Sequence, residues 1–446
     1  MAAAPDVALR AVELDDKYEV EDGTVYLSGT QALVRLLLEQ RRRDARAGLN
    51  TAGYVSGYRG SPLGGVDFAL WKAQERLRAA AIRFDPGLNE ELAATMVHGS
   101  QQVGAIGGAR VDGVFGLWYA KNPGVDRAGD ALKHANAAGT AALGGVLAVS
   151  GDDPGATSSS IANQCDHAFI SAAIPVLAPG NVAEIIAYGL FGYGLSRHAG
   201  VWVGLKTVAD VVEASATVRV AAALPALVSP AGGARPAAGW GMRWPDSRWD
   251  QDARLLGLRL PAARAYAHAN RIDRVVFGAP RPRYGIVCAG KAAGDVQEAL
   301  ALLAIDAAAA GALGLAVYKV GMVWPLEPLA LRAFGEGLDE ILVVEERRAV
   351  VETQLKEQAY GWPAGRRPCI VGKADETGAA LLPEGGVLTP RLVAQALAQR
   401  LAVRGAPAGL AQRVADAASM GRQQPNPPPA RQNPSLLPRR PRRWPR

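Results

Sequence analysis

The chain has 446 residues, of which 49% are hydrophobic and 20% are charged, a composition typical of globular proteins. Its 49 basic and 42 acidic side chains give a formal net charge of +7, but residues 421–446 contain seven arginines and no acidic residue. Without that segment, basic and acidic residues both number 42. The excess charge therefore belongs to the C-terminal segment. This argues against a nucleic-acid-binding protein, which needs basic residues clustered on a folded face.

Three features of the sequence bear on where the protein works. No apolar run reaches the roughly 18–20 residues of a membrane-spanning helix, and the N-terminal residues lack the apolar core of a signal peptide. The three cysteines form no C-x-x-C motif, and the five histidines show no metal-ligand spacing. We therefore predict a cytoplasmic protein with neither a membrane segment nor a metal site of its own.

The first half of the chain alternates between helical and strand patterns. Ser28 and Gln31 form a capping-box pattern before an apolar helix, and residues 51–58 predict a buried strand. Helices are predicted over residues 68–81 and 89–104. Four more apolar segments predict buried strands: residues 113–120, 144–151, 174–180 and 201–208. Apolar strands separated by helices indicate an α/β fold with a mainly parallel sheet.

The alternation stops at residues 230–283, where stretches rich in glycine, proline and arginine surround one predicted helix. We interpret this segment as an interdomain connection packed on the surface of its neighbours. A second α/β unit begins at Tyr284. Its predicted elements are strands at residues 284–290, 314–321 and 340–346 and helices at 295–310 and 389–401. After Gly421 the composition predicts disorder, because prolines interrupt hydrogen bonding and little apolar surface is available.

A glycine-rich turn, Gly57-Tyr-Arg-Gly-Ser-Pro-Leu-Gly64, ends the strand predicted for residues 51–58. Glycines let a backbone approach a ligand closely, and open α/β sheets bind ligands at the C-terminal ends of their strands. The same residues also fit a tight connection between a strand and a helix, and no G-x-G-x-x-G motif is present. The spacing alone therefore identifies no ligand.

Residues 285–291 nearly match the phosphate-binding pattern G-x-x-x-x-G-K-[ST], with Lys291 in the lysine position. Ala292 stands where the pattern requires a hydroxyl group to hold Mg²⁺, and the residues between the two glycines favour a strand. A strand followed by a turn is therefore a better interpretation than a nucleotide triphosphatase.

Asn89, Glu90 and Glu91 open the helix predicted for residues 89–104. Carboxylates near a helix N-terminus interact favourably with the helix dipole, and asparagine is a good N-cap, so the pattern has a purely structural explanation. The functional alternative is a carboxylate that is buried at a domain edge and hydrogen-bonded to a ligand nitrogen.

Two polar loops follow predicted strands, at residues 119–127 (YAKNPGVDR) and 151–160 (GDDPGATSSS). The loops after parallel strands converge at one edge of a sheet, and both segments carry groups that bind anions or carbonyl groups. Each loop by itself is only polar. Together with the glycine-rich turn, they predict a site at this edge.

Ordered segments spread over about residues 15–400 resemble the indolepyruvate (2-oxoacid) ferredoxin oxidoreductase family in its large fused form. The segments are SGYRGSPLGG (56–65), NEELAATMVHGSQQ (89–102), KNPGVDRAGDALKHAN (121–136), GDDPGATSSS (151–160), GLKTVADVVEASATV (204–218), RWPD (243–246), ANRIDRVVFGAPRPRYGIVCAGKA (269–292), KVGMVWPLEP (319–328), EILVVEERRAVVETQLKE (340–357) and LTPRLVAQAL (388–397). Because so many segments keep their order, the resemblance is specific.

The resemblance implies a thiamine-diphosphate enzyme that oxidatively decarboxylates a 2-oxoacid to an acyl-CoA and passes electrons through iron–sulfur clusters to ferredoxin. It implies a pyrimidine-binding domain, a parallel sheet with helices on both faces, at residues 15–228. A transketolase C-terminal-like α/β domain would occupy residues 284–402. Residues 229–283 would connect the two domains, and residues 403–446 would form a tail that is disordered from about residue 421.

The resemblance also implies the roles of individual residues. Glu90 would be the catalytic carboxylate, which hydrogen-bonds the aminopyrimidine ring of the cofactor. Glu91 would take that role if the register were shifted by one residue. The implied contacts are Gly60, Ser61, Pro62 and Glu90 for the cofactor and Arg59, Ser61, Lys121 and Arg127 for the substrate.

Further parts of the fused enzyme are implied outside this sequence. In the family, the next segment is a domain that binds the diphosphate and Mg²⁺, introduced by a cysteine motif that holds a [4Fe–4S] cluster. Here a proline- and arginine-rich segment follows instead, so we expect a truncated or frameshifted product that is inactive alone. The expected partners are a 2-oxoacid, CoA, ferredoxin and a diphosphate-binding chain in a homo- or hetero-oligomer, with neither nucleic acid nor a membrane.

Two other functions stay open at this point. A non-catalytic binding or assembly subunit could keep the fold without the chemistry. The Pro/Arg-rich tail could bind RNA or anionic surfaces through counterion release. The identity of the 2-oxoacid depends on pocket shape, so both aryl pyruvates and branched-chain substrates fit the sequence.

Overall fold

A computed structural model of the chain describes residues 11–221, 227–230 and 239–405. The tail predicted to be disordered from residue 421 lies outside the described residues. The strands are β1 (Gly23–Ser28), β2 (Thr51–Gly57), β3 (Ile82–Phe84), β4 (Gly113–Lys121), β5 (Val146–Asp152), β6 (Val176–Leu177), β7 (Trp202–Val208), β8 (Ser215–Val220), β9 (Arg274–Gly278), β10 (Tyr284–Ala289), β11 (Leu315–Val320), β12 (Met322–Trp324), β13 (Glu340–Val344) and β14 (Cys369–Val371).

Helices connect most of these strands. They are α1 (Asp16–Glu19), α2 (Gly29–Arg46), α3 (Val66–Lys72), α4 (Gln74–Ala79), α5 (Glu90–Ser100), α6 (Val103–Ile106), α7 (Asn122–Arg127), α8 (Gly129–Ala138), α9 (Asp166–Ser171), α10 (Val182–Ala199), α11 (Ala209–Val212), α12 (Arg248–Arg254), α13 (Leu260–Ala269), α14 (Ala292–Leu302), α15 (Ala307–Leu313), α16 (Pro328–Gly335), α17 (Val351–Tyr360) and α18 (Pro390–Val403). A π-helical turn, Leu255–Arg259, joins α12 to α13.

The larger sheet has seven strands in the order β12-β6-β7-β5-β4-β2-β3. All neighbouring pairs are parallel except β12 with β6. Consecutive side chains of β4 point to opposite faces: Leu117 and Tyr119 pack in one apolar core with α2 and α10, and Trp118 and Ala120 pack in another with α5 and α8. Helices therefore cover both faces of the sheet, which confirms the α/β fold that the apolar strands predicted.

The second sheet has five strands in the order β14-β13-β10-β11-β9. Its strands are parallel except for β9, which runs antiparallel to β11. Strand β12 follows β11 in the chain but pairs with β6 of the larger sheet. One apolar core contains residues of both sheets, among them Val176 and Val287. The two α/β units are therefore packed directly against each other.

The connection between the units is fixed by one buried arginine. Arg259 is fully buried, and its guanidinium group donates hydrogen bonds to the carbonyl groups of Trp240 at 2.8 Å and of Ala137 at 2.8 Å. Ala137 belongs to α8, so Arg259 ties the connection to the helix layer of the larger sheet. Strand β9 lies inside the range 229–283 that we predicted as a connection, and the structure places it in the second sheet.

Two helices predicted as continuous are divided in the structure. The helix predicted for residues 68–81 is split into α3 and α4 at Ala73, and the helix predicted for residues 295–310 is split into α14 and α15 around Ala304, which has a positive φ of 51°. Among the described residues, no single helix has the length and hydropathy needed to cross a membrane. Helices α14 and α15, which meet at an angle of 89°, satisfy those two criteria only as a pair.

Candidate functional site

Three loops meet at the C-terminal edge of the larger sheet. Strands β2, β4 and β5 are neighbours in parallel register, so the segments that follow Gly57, Lys121 and Asp152 leave the sheet side by side. A Cβ atom placed on Gly60 would lie 2.7 Å from the Lys121 side chain. The predicted convergence of the polar loops is thus present in the structure.

The glycine-rich turn and the loop after β5 are joined by hydrogen bonds. The Ser61 hydroxyl donates to the Ser158 hydroxyl, and the Ser159 hydroxyl donates to the Ser61 carbonyl at 3.2 Å. Pro62 is buried, and a Cβ atom on Gly151 would lie 2.7 Å from the Leu63 side chain and 3.0 Å from the Pro62 ring, so the end of β5 packs closely against the turn. Ser61 itself is partly exposed at the surface between the loops.

Asp153 organises the loop after β5. Its carboxylate accepts hydrogen bonds from the backbone amides of Thr157 at 2.9 Å, Ser158 at 2.7 Å and Ser159 at 2.7 Å. Burial alone would raise the pKa of Asp153, but these three amides outweigh it and hold the pKa below the ordinary value. An ionised Asp153 therefore fixes the serine-rich loop against Ser61.

Glu90 lies beside these loops as the first residue of α5. The Asn89 side chain caps the helix by accepting a hydrogen bond from the amide of Leu92 at 2.8 Å. Glu90 is only 6% exposed, and a Cβ atom placed on Gly124 would lie 2.8 Å from its Oε1. Its Oε2 lies 3.6 Å from Nε of Arg127. The Glu90 carboxylate is therefore packed against Gly124, which has no side chain to displace it, and the Arg127 guanidinium lies on its exposed side.

Glu91 has a different environment. It is exposed on the outer side of α5, and only its carbonyl group is engaged, by the Thr95 hydroxyl at 3.0 Å. The structure therefore brings Glu90, and not the alternative Glu91, to the polar loops. The indole Nε1 of Trp118 donates to the Glu90 carbonyl at 3.0 Å, which anchors the start of the helix.

The three predicted cationic contacts stand around these loops. Arg59 and Arg127 are exposed, and Lys121 is half-buried at the end of β4. Arg127 contacts Glu90, whereas Arg59 lies close enough to Tyr119 to act on its pKa. Of the three predicted cations, only Arg127 contacts the buried Glu90 carboxylate, and Arg59 and Lys121 lie on the neighbouring loops.

Sequence reasoning missed a buried pair beneath the glycine-rich turn. The Tyr119 hydroxyl donates to the Asp67 carboxylate, and both residues are buried. Burial and the neighbouring Asp67 raise the pKa of Tyr119, so the phenol stays protonated. A Cβ atom on Gly57 would lie 2.4 Å from Tyr119. No local sequence pattern could reveal this pair, because an acidic residue such as Asp67 is common in the first turn of a helix.

A second buried charge cluster lies at the end of β7. Nζ of Lys206 lies 2.5 Å from Asp166 and 3.9 Å from Asp152. Burial alone would lower the pKa of Lys206, but the two carboxylates outweigh it and raise the pKa.

Lys291, from the near-match to a phosphate-binding loop, also forms an ion pair, with its Nζ 3.1 Å from Asp295. Among the described residues no group of three or more His, Cys, Asp or Glu side chains is arranged to hold a metal ion.

Comparison with known proteins agrees with this picture. The family model for the indolepyruvate oxidoreductase domain matches residues 274–424. Over 380 residues, 84% of this chain and 54% of the relative, the chain is 27% identical to the indolepyruvate oxidoreductase subunit IorA of Methanothermobacter marburgensis. Over most of its length the chain is thus similar to a subunit of an indolepyruvate oxidoreductase. The IorA subunit of Methanothermobacter thermautotrophicus is 25% identical over 77% of this chain and 50% of its own length.

A solved structure supports the fold of this chain. The 2-oxoglutarate:ferredoxin oxidoreductase of Magnetococcus marinus superposes with a TM-score of 0.57 and 14% identity, over 85% of this chain and 66% of the other. The family model and the IorA relatives confirm the resemblance predicted from the ordered sequence segments, and the chain is related to oxidoreductase subunits. It spans about half the length of the curated relatives that it matches.

Proposed function

We propose that this chain supplies the pyrimidine-binding half of a thiamine-diphosphate site in a 2-oxoacid ferredoxin oxidoreductase, which oxidatively decarboxylates a 2-oxoacid to an acyl-CoA. The observation that carries the proposal is the Glu90 carboxylate, which is buried at the loop edge of the larger sheet against Gly124. In this proposal the pyrimidine-binding domain spans residues 15–228, and the transketolase C-terminal-like domain spans residues 284–402.

The residues present fit such a cofactor. The ring nitrogen of the aminopyrimidine needs a carboxyl group that is held in one position and has little competing water. Glu90, which is 6% exposed, meets this requirement. Gly124, in α7, has no side chain that would displace the Glu90 carboxylate. The backbone of the Gly60-Ser61-Pro62 turn lies close to the same edge of the sheet. Glu90, Gly60, Ser61 and Pro62 would hold the aminopyrimidine end.

Thiamine diphosphate, when bound, supplies a carbon centre that accepts the electron pair released by decarboxylation. Glu90 would hold a proton between its carboxyl oxygen and the ring nitrogen of the aminopyrimidine. Ser61 would orient the substrate carboxylate, and the cations of Arg59, Lys121 and Arg127 would attract it. The family resemblance implies these roles, and the charge and position of the side chains in the described loops support them.

The outer side of this site is open and apolar. Next to Glu90, Leu88 is 86% exposed, and Leu92 and Met96 on α5 are 46% and 39% exposed. Exposed apolar patches next to a polar site are typical of surfaces that another protein covers. We propose that a diphosphate-binding chain docks here within a larger oligomer and carries Mg²⁺ and a [4Fe–4S] cluster. CoA and ferredoxin would bind the assembled complex, and this chain alone would lack turnover.

The test compares Glu90→Gln with Glu91→Gln in a complex reconstituted with the diphosphate-binding chain. The measurement is reduction of a viologen dye that depends on a 2-oxoacid. We expect Glu90→Gln to lower kcat by at least about 10²-fold, the usual effect of removing an acid–base group. Glu91→Gln, on the exposed side of the same helical turn, should stay within about twofold because it touches none of the loops.

Equal activity of wild type and Glu90→Gln would favour the alternative, a non-catalytic assembly subunit of the same fold. The isolated chain provides a second test, since a half-site should give no dye reduction with any 2-oxoacid. Turnover by the isolated chain would contradict the proposed division between two chains.

A further inference from the structure

The loop after β5 is held by the second α/β unit as well as by its own hydrogen bonds. This serine-rich loop, residues 153–164, reaches Ser61 of the glycine-rich turn through the hydroxyl groups of Ser158 and Ser159. On its other side it contacts the residues that follow β13 of the second sheet. The loop therefore lies between the predicted substrate contact Ser61 and the second unit.

Arg347 of the second unit is bonded to the start of this loop. Its guanidinium Nη1 donates a hydrogen bond to the carbonyl oxygen of Pro154 at 2.9 Å. Pro154 is buried and directly follows Asp153, whose carboxylate accepts hydrogen bonds from the amides of residues 157–159. A hydrogen bond from a charged donor is stronger than one between neutral groups. Arg347 therefore fixes the end of the loop at which Asp153 orders the serines.

A pair of hydrogen bonds holds the other end of the loop. Nε2 of Gln164 donates to the carbonyl oxygen of Arg348 at 3.2 Å, and the Arg348 amide donates to Oε1 of Gln164 at 3.2 Å. Near the start of the loop, a Cβ atom placed on Gly155 would lie 2.5 Å from Cγ2 of Val387. The second unit thus contacts the loop at both of its ends, and closely at Gly155.

The backbone on both sides of this contact has an uncommon conformation. Ala156 in the loop has a φ of 52°, and Arg347 in the second unit has a φ of 55°. Residues other than glycine rarely adopt a positive φ, and they keep it only where the surrounding contacts impose it. Such conformations are concentrated at active sites and ligand contacts. Two of them at one junction indicate that the position of the loop is closely controlled.

We propose that Arg347 is a positioning residue for the carboxylate of the 2-oxoacid. Its contact with Pro154 fixes the serine-rich loop. Ser158 and Ser159 then hold Ser61 where it contacts the substrate. In this way a residue of the second unit sets the affinity of the site for its substrate. The inference rests on the function proposed above, in which Ser61 orients the substrate carboxylate.

The first experiment measures the loop itself, by hydrogen–deuterium exchange of the full-length chain. The amides of residues 157–159 exchange when their hydrogen bonds to Asp153 open, so their exchange rate reports local opening of the loop. We expect Arg347→Met to speed this exchange at least about tenfold and to leave the exchange of β4 unchanged. Arg264→Met is the matched control, because Arg264 is exposed on α13, which packs against α10.

The second experiment measures kinetics in the complex reconstituted with the diphosphate-binding chain. The substrate is phenylpyruvate or, for a branched-chain enzyme, 3-methyl-2-oxobutanoate, and a viologen dye accepts the electrons. We expect Arg347→Met to raise KM at least about fivefold and to keep kcat within about twofold, the pattern of a lost contact that ground state and transition state share. Arg347→Lys keeps a charged donor and should restore KM, and Arg264→Met should change neither constant.

A second variant tests the other end of the loop and does not depend on how well Arg347→Met folds. Gln164→Ala removes both hydrogen bonds to the Arg348 backbone. It should therefore also speed exchange at residues 157–159 and raise KM, by at least about threefold.

Two results would overturn the proposal. The first is unchanged exchange at residues 157–159 in both Arg347→Met and Gln164→Ala, which would show that the second unit does not hold the loop. The second is faster exchange with an unchanged KM, which would show that the position of the loop does not affect substrate binding. Neither result alters the comparison of Glu90→Gln with wild type, so failure of this inference is distinguishable from failure of the proposed function.

Discussion

Glu90 and Asp273 are both buried carboxylates, but their surroundings differ. Glu90 lies at the N-terminus of α5, 3.6 Å from the Arg127 guanidinium, at an edge whose outer side is exposed. Asp273 forms no ion pair among the described residues, and its hydrogen bonds come from the two amides of Gly321 and Met322. The first carboxylate faces a surface that a second chain can complete, whereas elements of this chain alone enclose the second.

This difference reflects the position of each carboxylate in the fold. The Glu90 edge is formed by loops after parallel strands, which can vary without disturbing the sheets, so a site there can be shared with a partner. Asp273 lies just before β9, where the connection meets the second unit, and the amides of Gly321 and Met322 hold its carboxylate. Because Asp273 is buried there, changes to it should be seen first in stability.

The largest expected effect concerns the pH dependence of stability at Asp273. The folded-state pKa of about 7 exceeds the ordinary value of 3.8, so between these values the native state binds a proton that the unfolded chain does not. Stability is therefore lost as the pH rises from about 4 to 8, by up to about 4 kcal/mol at 1.4 kcal/mol per pKa unit. Asp273→Asn cannot ionise and should lose less stability over this range.

Urea-unfolding midpoints of wild type and Asp273→Asn at pH 5 and pH 8 measure this effect. Because each protein is compared with itself at two pH values, any pH-independent effect of the asparagine side chain on the free energy of unfolding cancels. Parallel pH profiles would show that Asp273 is already ionised at pH 5 and that its surroundings are more polar than its burial implies.

The next effect concerns the space around Glu90. In Gly124→Ala, the new Cβ would lie 2.7 Å from Cγ and 2.8 Å from Oε1 of Glu90, so the carboxylate must move. A displaced acid–base group costs roughly 10²-fold in rate, so we expect a loss of that order in dye reduction by the complex. Gly129→Ala is the control, because no atom lies within 4 Å of its Cβ position. Equal activities would mean that the position of the Glu90 carboxylate does not limit turnover.

A smaller effect is expected from the buried Tyr318 hydroxyl, which has no hydrogen-bond partner among the described residues. Without ligand, Tyr318→Phe removes a buried hydroxyl with no partner and should raise the free energy of unfolding by about 1 kcal/mol. Tyr193→Phe should do the same, since its hydroxyl is also buried and unpartnered. Denaturant unfolding measures both. Destabilisation by Tyr318→Phe would reveal a hydrogen bond to an ordered water or another group.

The smallest effect is expected at the rim of the Glu90 site. The Arg127 side chain is 61% exposed, and exposed ion pairs contribute about 0–1 kcal/mol. Arg127→Gln should therefore change the free energy of unfolding by less than about 1 kcal/mol, as measured by urea denaturation. A loss of several kcal/mol would show that Arg127 neutralises a strongly desolvated Glu90, which would make the two carboxylate sites more alike.

Much of the architecture is determined locally. The apolar runs at residues 113–120, 144–151 and 201–208 predict strands because continuous apolar residues must be covered on both faces, and the structure has strands there. Their order then places the polar loops at one edge. The short strands β9 and β12 were not predicted. A three-residue strand such as β12 carries no periodicity, and its pairing with β6 depends on how the two units pack.

The sequence by itself determined the α/β class, the resemblance to 2-oxoacid ferredoxin oxidoreductases and the segment that carries the candidate carboxylate, because these depend on residue pattern and order. Only the tertiary structure decided between Glu90 and Glu91. Both residues are adjacent in the first turn of α5, and the direction of one side chain relative to Gly124 separates them. It alone also brought Asp273, Tyr318 and Glu327 together. Burial and unmet hydrogen bonds are properties of packing, and no local pattern in a sequence records them.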